Sequence, residues 1–224
     1  MKKNRKKIGI AIAVGIVAIV AICLRISYVN KQLSMDPAKM YTDVTLRNIQ
    51  REKGNEIYGT NASDIFNGTG LAYSRLTDKQ KRVIRKLSEK IRDFDYKKES
   101  VKYNKDDTEA EVLVTFRTYD FEGLYLVFKE DVRKNTAKAA YMVSDGKVSP
   151  ENETDVIYSM TMNDLNKNLN SLKKNIEKKA TIKLVKKEKK LKPGDFEIKW
   201  IPEPLSDDFM NAMTGGFAKA VSNG

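Results

Sequence analysis

Any chemistry in this chain must come from carboxylates, hydroxyls and amines, because its 224 residues include no histidine. Without imidazole there is no Ser–His or Cys–His pair and no histidine ligand for a metal. The single cysteine, Cys23, lies inside an apolar run, so the rest of the chain has no thiol nucleophile. Neither the dinucleotide-binding nor the P-loop glycine pattern occurs. No cofactor or metal ligand is therefore assigned. Two carboxylate pairs remain, Asp106-Asp107 and Asp207-Asp208. Each also suits a structural role, the first in a hairpin turn and the second at the positive end of a helix. Thr154-Asp155 has acidic neighbours but not the spacing of a calcium loop. The run Lys186-Lys187-Glu188-Lys189-Lys190 suits either an acidic partner or the guarding of a strand edge. Tyr103, Phe116 and Trp200 are the aromatic candidates for lining a small-molecule pocket, and core packing would use the same side chains.

These residues sit on elements that the patterning predicts. Asp36-Pro37 reads as a cap with proline at the first helical position, opening a helix that stops at Gly54. Residues 54–75 read as loop with a short helix at 64–66. Thr77 and Gln80 form a capping box. Leu76, Val83, Ile84, Leu87, Ile91 and Phe94 then recur on one helical face, as for a helix packed on a sheet. Residues 98–119 switch to period two. Val101 and Tyr103 precede a turn at 104–107, and Ala110, Val112, Val114 and Phe116 share one face of the returning strand. Helices are expected at 122–143 and 155–176. A second hairpin turns at Lys192-Pro193-Gly194-Asp195, where Pro and Gly fit a type II turn. Its returning strand points Phe196, Ile198 and Trp200 inward and stops at Pro202 and Pro204. A last helix follows Ser206 and ends at Gly215-Gly216.

The N-terminus supplies an address. Residues 8–24 are seventeen consecutive apolar residues behind Lys2, Lys3, Arg5, Lys6 and Lys7. A bilayer core needs about 17–25. Arg25 can snorkel, so Ile26 and Val29 extend the span. The cations before the run hold the N-terminus on the cytoplasmic side. The expected organisation is a basic N-terminus (1–7), a transmembrane anchor (8–29), a stalk (30–35) and an extracytoplasmic domain (36–224). Two other readings stay open. Val20-Ala21-Ile22 before Cys23 matches a lipobox at two positions, which would make Cys23 a lipidation site, although Ile22 stands where a small residue is expected. Signal cleavage would need small residues just after the core, and Ile22, Cys23, Leu24 and Arg25 offer none. Ala11 and Gly15 have the spacing that lets two such helices approach, so a homo-oligomer is an expected possibility.

The formal charge of +12 would suggest nucleic acid, but seven of these charges precede the first acid, Asp36, and only +5 is left beyond it. No basic stripe with interleaved aromatics follows, so nucleic acid is not an expected partner. The membrane, and an unidentified protein or small molecule, are.

The order is helices, hairpin, helices, a long Lys-rich hairpin ending in Trp200, and a terminal helix. With Glu109-Ala-Glu-Val-Leu-Val-Thr-Phe116, Phe196-Glu-Ile-Lys-Trp200 and Asp208-Phe-Met-Asn-Ala-Met-Thr-Gly-Gly216, it resembles membrane- or lipid-anchored exported proteins of Gram-positive bacteria. Their outer domain is NTF2-like (cystatin-like). The resemblance spans residues 36–216 and implies an α+β fold, a curved antiparallel sheet of two hairpins wrapped by helices. That fold hosts enzymes, binding proteins and assembly subunits alike. The function expected is a non-enzymatic, membrane-anchored binding or interaction module. The alternatives are an assembly subunit of a conjugation or secretion machine, a lipoprotein, and an enzyme pairing a carboxylate with a tyrosine. An uncleaved anchor predicts that the mature membrane-bound protein keeps residues 1–30, and that Cys23→Ala changes neither its membrane fraction nor its mass beyond the substitution. Intact-mass measurement checks this, and a mass beginning at a diacylated Cys23 would contradict it.

Overall fold

The computed structural model describes residues 35–52, 56–57, 60–192 and 195–223. The expected anchor with Cys23, nearly all of the stalk, and the two central residues of the Pro193-Gly194 turn lie outside the described residues. Among the described residues no helix is long and apolar enough to cross a membrane.

The fold is α+β. Helix α1 (Pro37–Arg51) is followed by two short paired strands, β1 (Glu56–Ile57) and β2 (Thr60–Asn61), and a 3₁₀ turn at Ala62–Phe66. Helix α2 (Asp78–Arg92) leads into β3 (Asp95–Tyr103) and β4 (Glu109–Tyr119), then α3 (Phe121–Ser144) and α4 (Glu153–Ser171). Strands β5 (Lys174–Lys192) and β6 (Asp195–Pro202) and helices α5 (Asp207–Met213) and α6 (Phe217–Ser222) complete it. The main sheet has the order β3-β4-β5-β6 and is antiparallel throughout, so the two hairpins join through β4 and β5 while α3 and α4 form the connection between them.

Local signals explain most of the element starts. The Asp36 side chain accepts from the N–H groups of Ala38 and Lys39 at the start of α1. The Thr77–Gln80 capping box forms reciprocally, two orphan donors each gaining an acceptor. Ser206 caps α5 with Asp207 and Asp208 in its first turn. Helix α2 packs chiefly against α4, the 62–66 turn and α1, where its periodicity suggested a sheet. The helix expected to reach Ile176 ends at Ser171, and Lys174 already belongs to β5. From Leu172 the burial alternates residue by residue through Lys174, Ile176, Lys178, Ala180, Ile182 and Leu184. Leucines and isoleucine at 165, 169, 172 and 176 fit a helical period as well, and pairing with β4 decides the outcome. A further helix, α6, follows Gly215-Gly216, where the last helix is expected to end.

Among the described residues, helices cover one face of the sheet. Ala110, Val112, Val114 and Phe116 of β4 are at most 2 % exposed, and α1 and α5 pack on that side. Phe116 touches Phe94 edge-on at 5.5 Å and Phe209 of α5 at 5.2 Å between ring centres. The opposite face carries charge in rows: Asp95, Arg117 and Glu177 are cross-strand neighbours, as are Lys102, Glu111 and Lys183. Opposite charges at such positions support the register. A β-bulge between Lys98 and Ser100 shifts the phase of β3, so Tyr96 and Lys98 before it and Val101 and Tyr103 after it face the same side.

The α5–α6 turn closes the core. Gly215 has φ of +61°, and a Cβ there would lie 2.1 Å from the Tyr119 carbonyl oxygen. Any side chain at this position both strains the backbone and clashes with β4. Gly215→Ala is therefore expected to destabilise by more than the roughly 1–3 kcal/mol of a left-handed non-glycine residue. Phe116→Ala should cost about 3–5 kcal/mol through the cavity it leaves, and Thr77→Ala about 1 kcal/mol through the lost cap. Chemical denaturation of the three variants checks this order.

Candidate functional site

The aromatic trio expected to line a pocket divides. Tyr103 of β3 and Trp200 of β6 meet edge-on, with ring centres 5.6 Å apart, although β4 and β5 run between their strands. The small Ala110 opposite Tyr103 leaves room for the contact. Trp200 is 7 % exposed and Tyr103 38 %, so the pair closes one end of the core and presents a ring edge to solvent. Lys186, the cross-strand neighbour of Trp200, holds its ammonium 6.0 Å from that ring's centre. Phe116 is fully buried among Phe94 and Phe209 and belongs to the core.

The carboxylates paired in sequence stay at the surface. Asp106 and Asp107 lie in the β3–β4 turn, where Asp107 takes a positive φ of 52°, and Asp207 and Asp208 begin α5, all four exposed. The tyrosine–carboxylate pairs that do form join residues distant in sequence. The Tyr103 hydroxyl donates to Asp36 at 2.7 Å, tying the start of α1 to β3. Tyr96 donates to Asp43 of α1 at 2.9 Å, and Lys98 and Arg47 reach the same carboxylate at 2.7 and 2.8 Å. Tyr119 donates to Asp93, just past α2, at 2.5 Å, and Lys174 joins Asp93 at 2.8 Å. The Lys90 ammonium stands 4.3 Å from the centre of the Tyr119 ring, within cation–π range.

Burial together with the adjoining carboxylates pushes the Tyr103 and Tyr119 phenols up to about 12. Near neutral pH these phenols keep their protons and act as hydrogen-bond donors. Burial pushes the Asp43 carboxyl up, but Lys98 and Tyr96, which donate to it, and Arg47 more than offset this and hold it below its ordinary range. Asp93 is held down in the same way by Lys174 and Tyr119 against its own burial. A fourth network links α3 to α4. Asn135 donates to Asp164 at 2.9 Å and Asn168 to Asp131 at 3.0 Å, and burial and the Asp164 charge push Asp131 up. The tyrosine–aspartate pairs were missed in the sequence because their members lie 26 to 67 residues apart. Alternation in β3 marked only Tyr103; Tyr96 lies across the β3 bulge and Tyr119 beyond a register shift in β4, so strict alternation places neither with it.

A further concavity lies between α2 and α4. It encloses about 580 Å³. Val83, Tyr158 and Met162 make an apolar floor, with Tyr158 and Met162 nearly inaccessible. Tyr158 is fixed because its hydroxyl accepts from the Ala72 N–H at 2.8 Å. Lys79, Arg82 and Lys86 recur three and four residues apart along the α2 rim, and Arg75 stands beside them. Asp155 is the one carboxylate on the lining. Lys86 is held across the groove by Asn166, at 3.1 Å, and Asn170. Four cations over an apolar floor suit an anionic or carboxylate-bearing group with some apolar surface. Lys79, Arg82 and Lys86 of this rim belong to the charged side of α2. Among the described residues no group of three or more acidic or thiol side chains could hold a metal ion.

No family model, curated protein or solved structure matches this chain.

Two folded-state carboxylates held below their ordinary value of 3.8 make a signed prediction. In the window below that value the unfolded chain binds more protons than the folded one. The stability from Asp43 and Asp93 is therefore fully present above the unfolded value and is lost as pH falls through the depressed folded values. Asp43→Asn should flatten the acid limb of stability against pH relative to the parent chain, as read from denaturation midpoints between about pH 2 and 6. Asp131, pushed up, contributes with the opposite sign and is common to both proteins.

Proposed function

We propose that this protein is a non-enzymatic interaction module, held at the outer face of a bacterial membrane by residues 8–29, whose outer domain is of the NTF2-like kind. The single observation that carries the binding reading is the cationic groove between α2 and α4. Its polar side chains are positioned by helix packing and by hydrogen bonds to neighbouring helices and loops, as a recognition surface requires. The anchor reading rests on the apolar run and its basic flank. The α+β architecture, with a four-stranded antiparallel sheet covered on one face, is compatible with the NTF2-like reading. The groove's ligand in this reading is an anionic group on a protein or a small molecule.

A second reading, an assembly subunit of a cell-envelope machine, has support in α3. Leu126 is 63 % and Tyr141 65 % exposed along this 24-residue helix, with Val127 nearby at 47 %. Exposed apolar side chains of this size suit contact with another subunit.

A photo-crosslinking residue at Ser159, on the groove rim, should trap a discrete anionic partner in native membranes, whereas one at Leu126 should trap subunits if the second reading holds. Lys79→Glu with Arg82→Glu should abolish the Ser159 adduct while changing stability by less than about 0.5 kcal/mol, as for exposed surface positions. Capture that survives the charge reversal, or turnover by the full-length protein in a broad substrate screen, would overturn the groove reading.

A further inference from the structure

Strand β5 is longer than either of its neighbours, and this leaves part of it without a partner. It pairs with β4 from Lys174 to Val185, but with β6 only from Leu184 onward. Among the described residues no strand pairs with residues 176–182 on the β6 side, which leaves a free edge there. The direction of each backbone group follows from two hydrogen bonds. The Lys186 N–H donates to the Thr108 carbonyl, on the β4 side, at 2.8 Å. The Lys183 carbonyl accepts from the Glu203 N–H, on the β6 side, at 2.9 Å. No register shift intervenes between Ile176 and Val185. Over that range even-numbered residues therefore point their backbone groups to β4, and Glu177, Lys179 and Thr181 point theirs outward.

The other edges of the sheet are managed differently. The outer edge of β3 carries a bulge at Lys98/Ser100, and Lys39 and Gln50 of α1 hydrogen-bond to the carbonyls of Glu99 and Phe94 along it. The outer edge of β6 has Pro202, whose position, by the same alternation, lacks an outward donor. From Ile176 to Ile182 the free stretch of β5 has neither bulge nor proline; its one register shift lies at Asn175.

A groove runs beside that stretch. Lys178, Lys179, Thr181 and Lys183 line one wall, and Ser206, Asp208 and Asn211 line the other around about 570 Å³. A second concavity of about 270 Å³ continues from Thr181 and Lys183 toward Glu203 and Leu205. The side-chain oxygen of Asn211 is buried and has no hydrogen-bond partner.

We infer that the free edge of β5 accepts an acidic, extended segment of a partner protein as an added strand. Added strands bind through the outward N–H and C=O groups, and side chains at alternate positions supply specificity. Lys179, exposed beside Thr181, would face an acidic side chain across the new ladder, and Lys183, where Glu203 closes that ladder, adds positive charge at its end. The same lysines place like charges opposite one another if a second copy pairs edge to edge, so they favour a heterologous acidic strand over self-association. Asn211 offers its unsatisfied oxygen to a donor on the incoming segment. This inference is independent of the α2–α4 groove, which shares no residue with the edge.

The test uses the full-length protein in detergent micelles and a fluorescent peptide of about ten residues alternating Glu with Val, long enough to span the free stretch at ~3.3 Å per residue. Saturable binding is expected. The same peptide N-methylated at every second residue should bind roughly tenfold more weakly or worse, the scale of lost backbone hydrogen bonds. A Lys–Val peptide should not bind. In the protein, Lys179→Pro removes an outward N–H and should weaken binding by a similar factor. Lys179→Gln with Lys183→Gln, which leaves the backbone intact, should weaken it several-fold and reduce its salt dependence. The N-methylated peptide decides the outcome if Lys179→Pro does not fold. No binding of the Glu–Val peptide overturns the inference. Equal binding of the N-methylated form, complete displacement by anionic lipid vesicles, or loss on Lys79→Glu with Arg82→Glu but not on the β5 substitutions would do the same.

Discussion

One-sided burial of β4 is the constraint from which the rest of the structure follows. Four alternate residues, Ala110, Val112, Val114 and Phe116, are shut away from water on one face. Because the side-chain period of a strand is two, a slip of one residue would move all four into solvent and bring Glu109, Glu111 and Arg117 inside. That penalty sets the register with β3 and β5. It also forces a bulge in β3, since without the extra residue between Lys98 and Ser100 the two halves of that strand would face opposite sides. Phe116 then gives α5 its seat through Phe209, and the tight Gly215 turn fits against the end of the same strand.

Around this core the helices are located by polar contacts at its rim. Three tyrosines donate to three aspartates, each pair joining a strand to a helix end or a helix face. Two of the phenols are held neutral to about pH 12, so these contacts persist across the ordinary pH range. The carboxylates are further compensated by Lys98, Arg47 and Lys174. Charged groups of this kind are tolerated near a core only when paired and hydrogen-bonded. Such pairs orient elements without filling space. This leaves room between α2 and α4 for a groove whose floor is apolar and whose rim is cationic.

The sheet's edges tell a related story about exposure. A four-stranded sheet that buries one face still has outward backbone groups along its margins. Here most of that margin is blunted by a bulge, by α1 side chains or by proline. Strand β5 outruns β6 at one end because Pro202 and Pro204 turn the chain away into α5. The length mismatch, rather than any special residue, creates its free edge.

Much was already determined by the sequence alone. Capping residues at Asp36, Thr77 and Ser206 placed three helix starts, because caps act within three residues of themselves. Alternation from Ala110 to Phe116 marked the buried strand face. The boundary between α4 and β5 was not legible, since Leu172 and Ile176 satisfy both periods until β4 supplies hydrogen-bond partners. The Tyr–Asp pairs, the groove and the free edge were equally hidden. Each arises from residues brought together across long separations, or from one strand ending before its neighbour. Local propensity carries no information about such distances, and only the packing of the tertiary structure decided them.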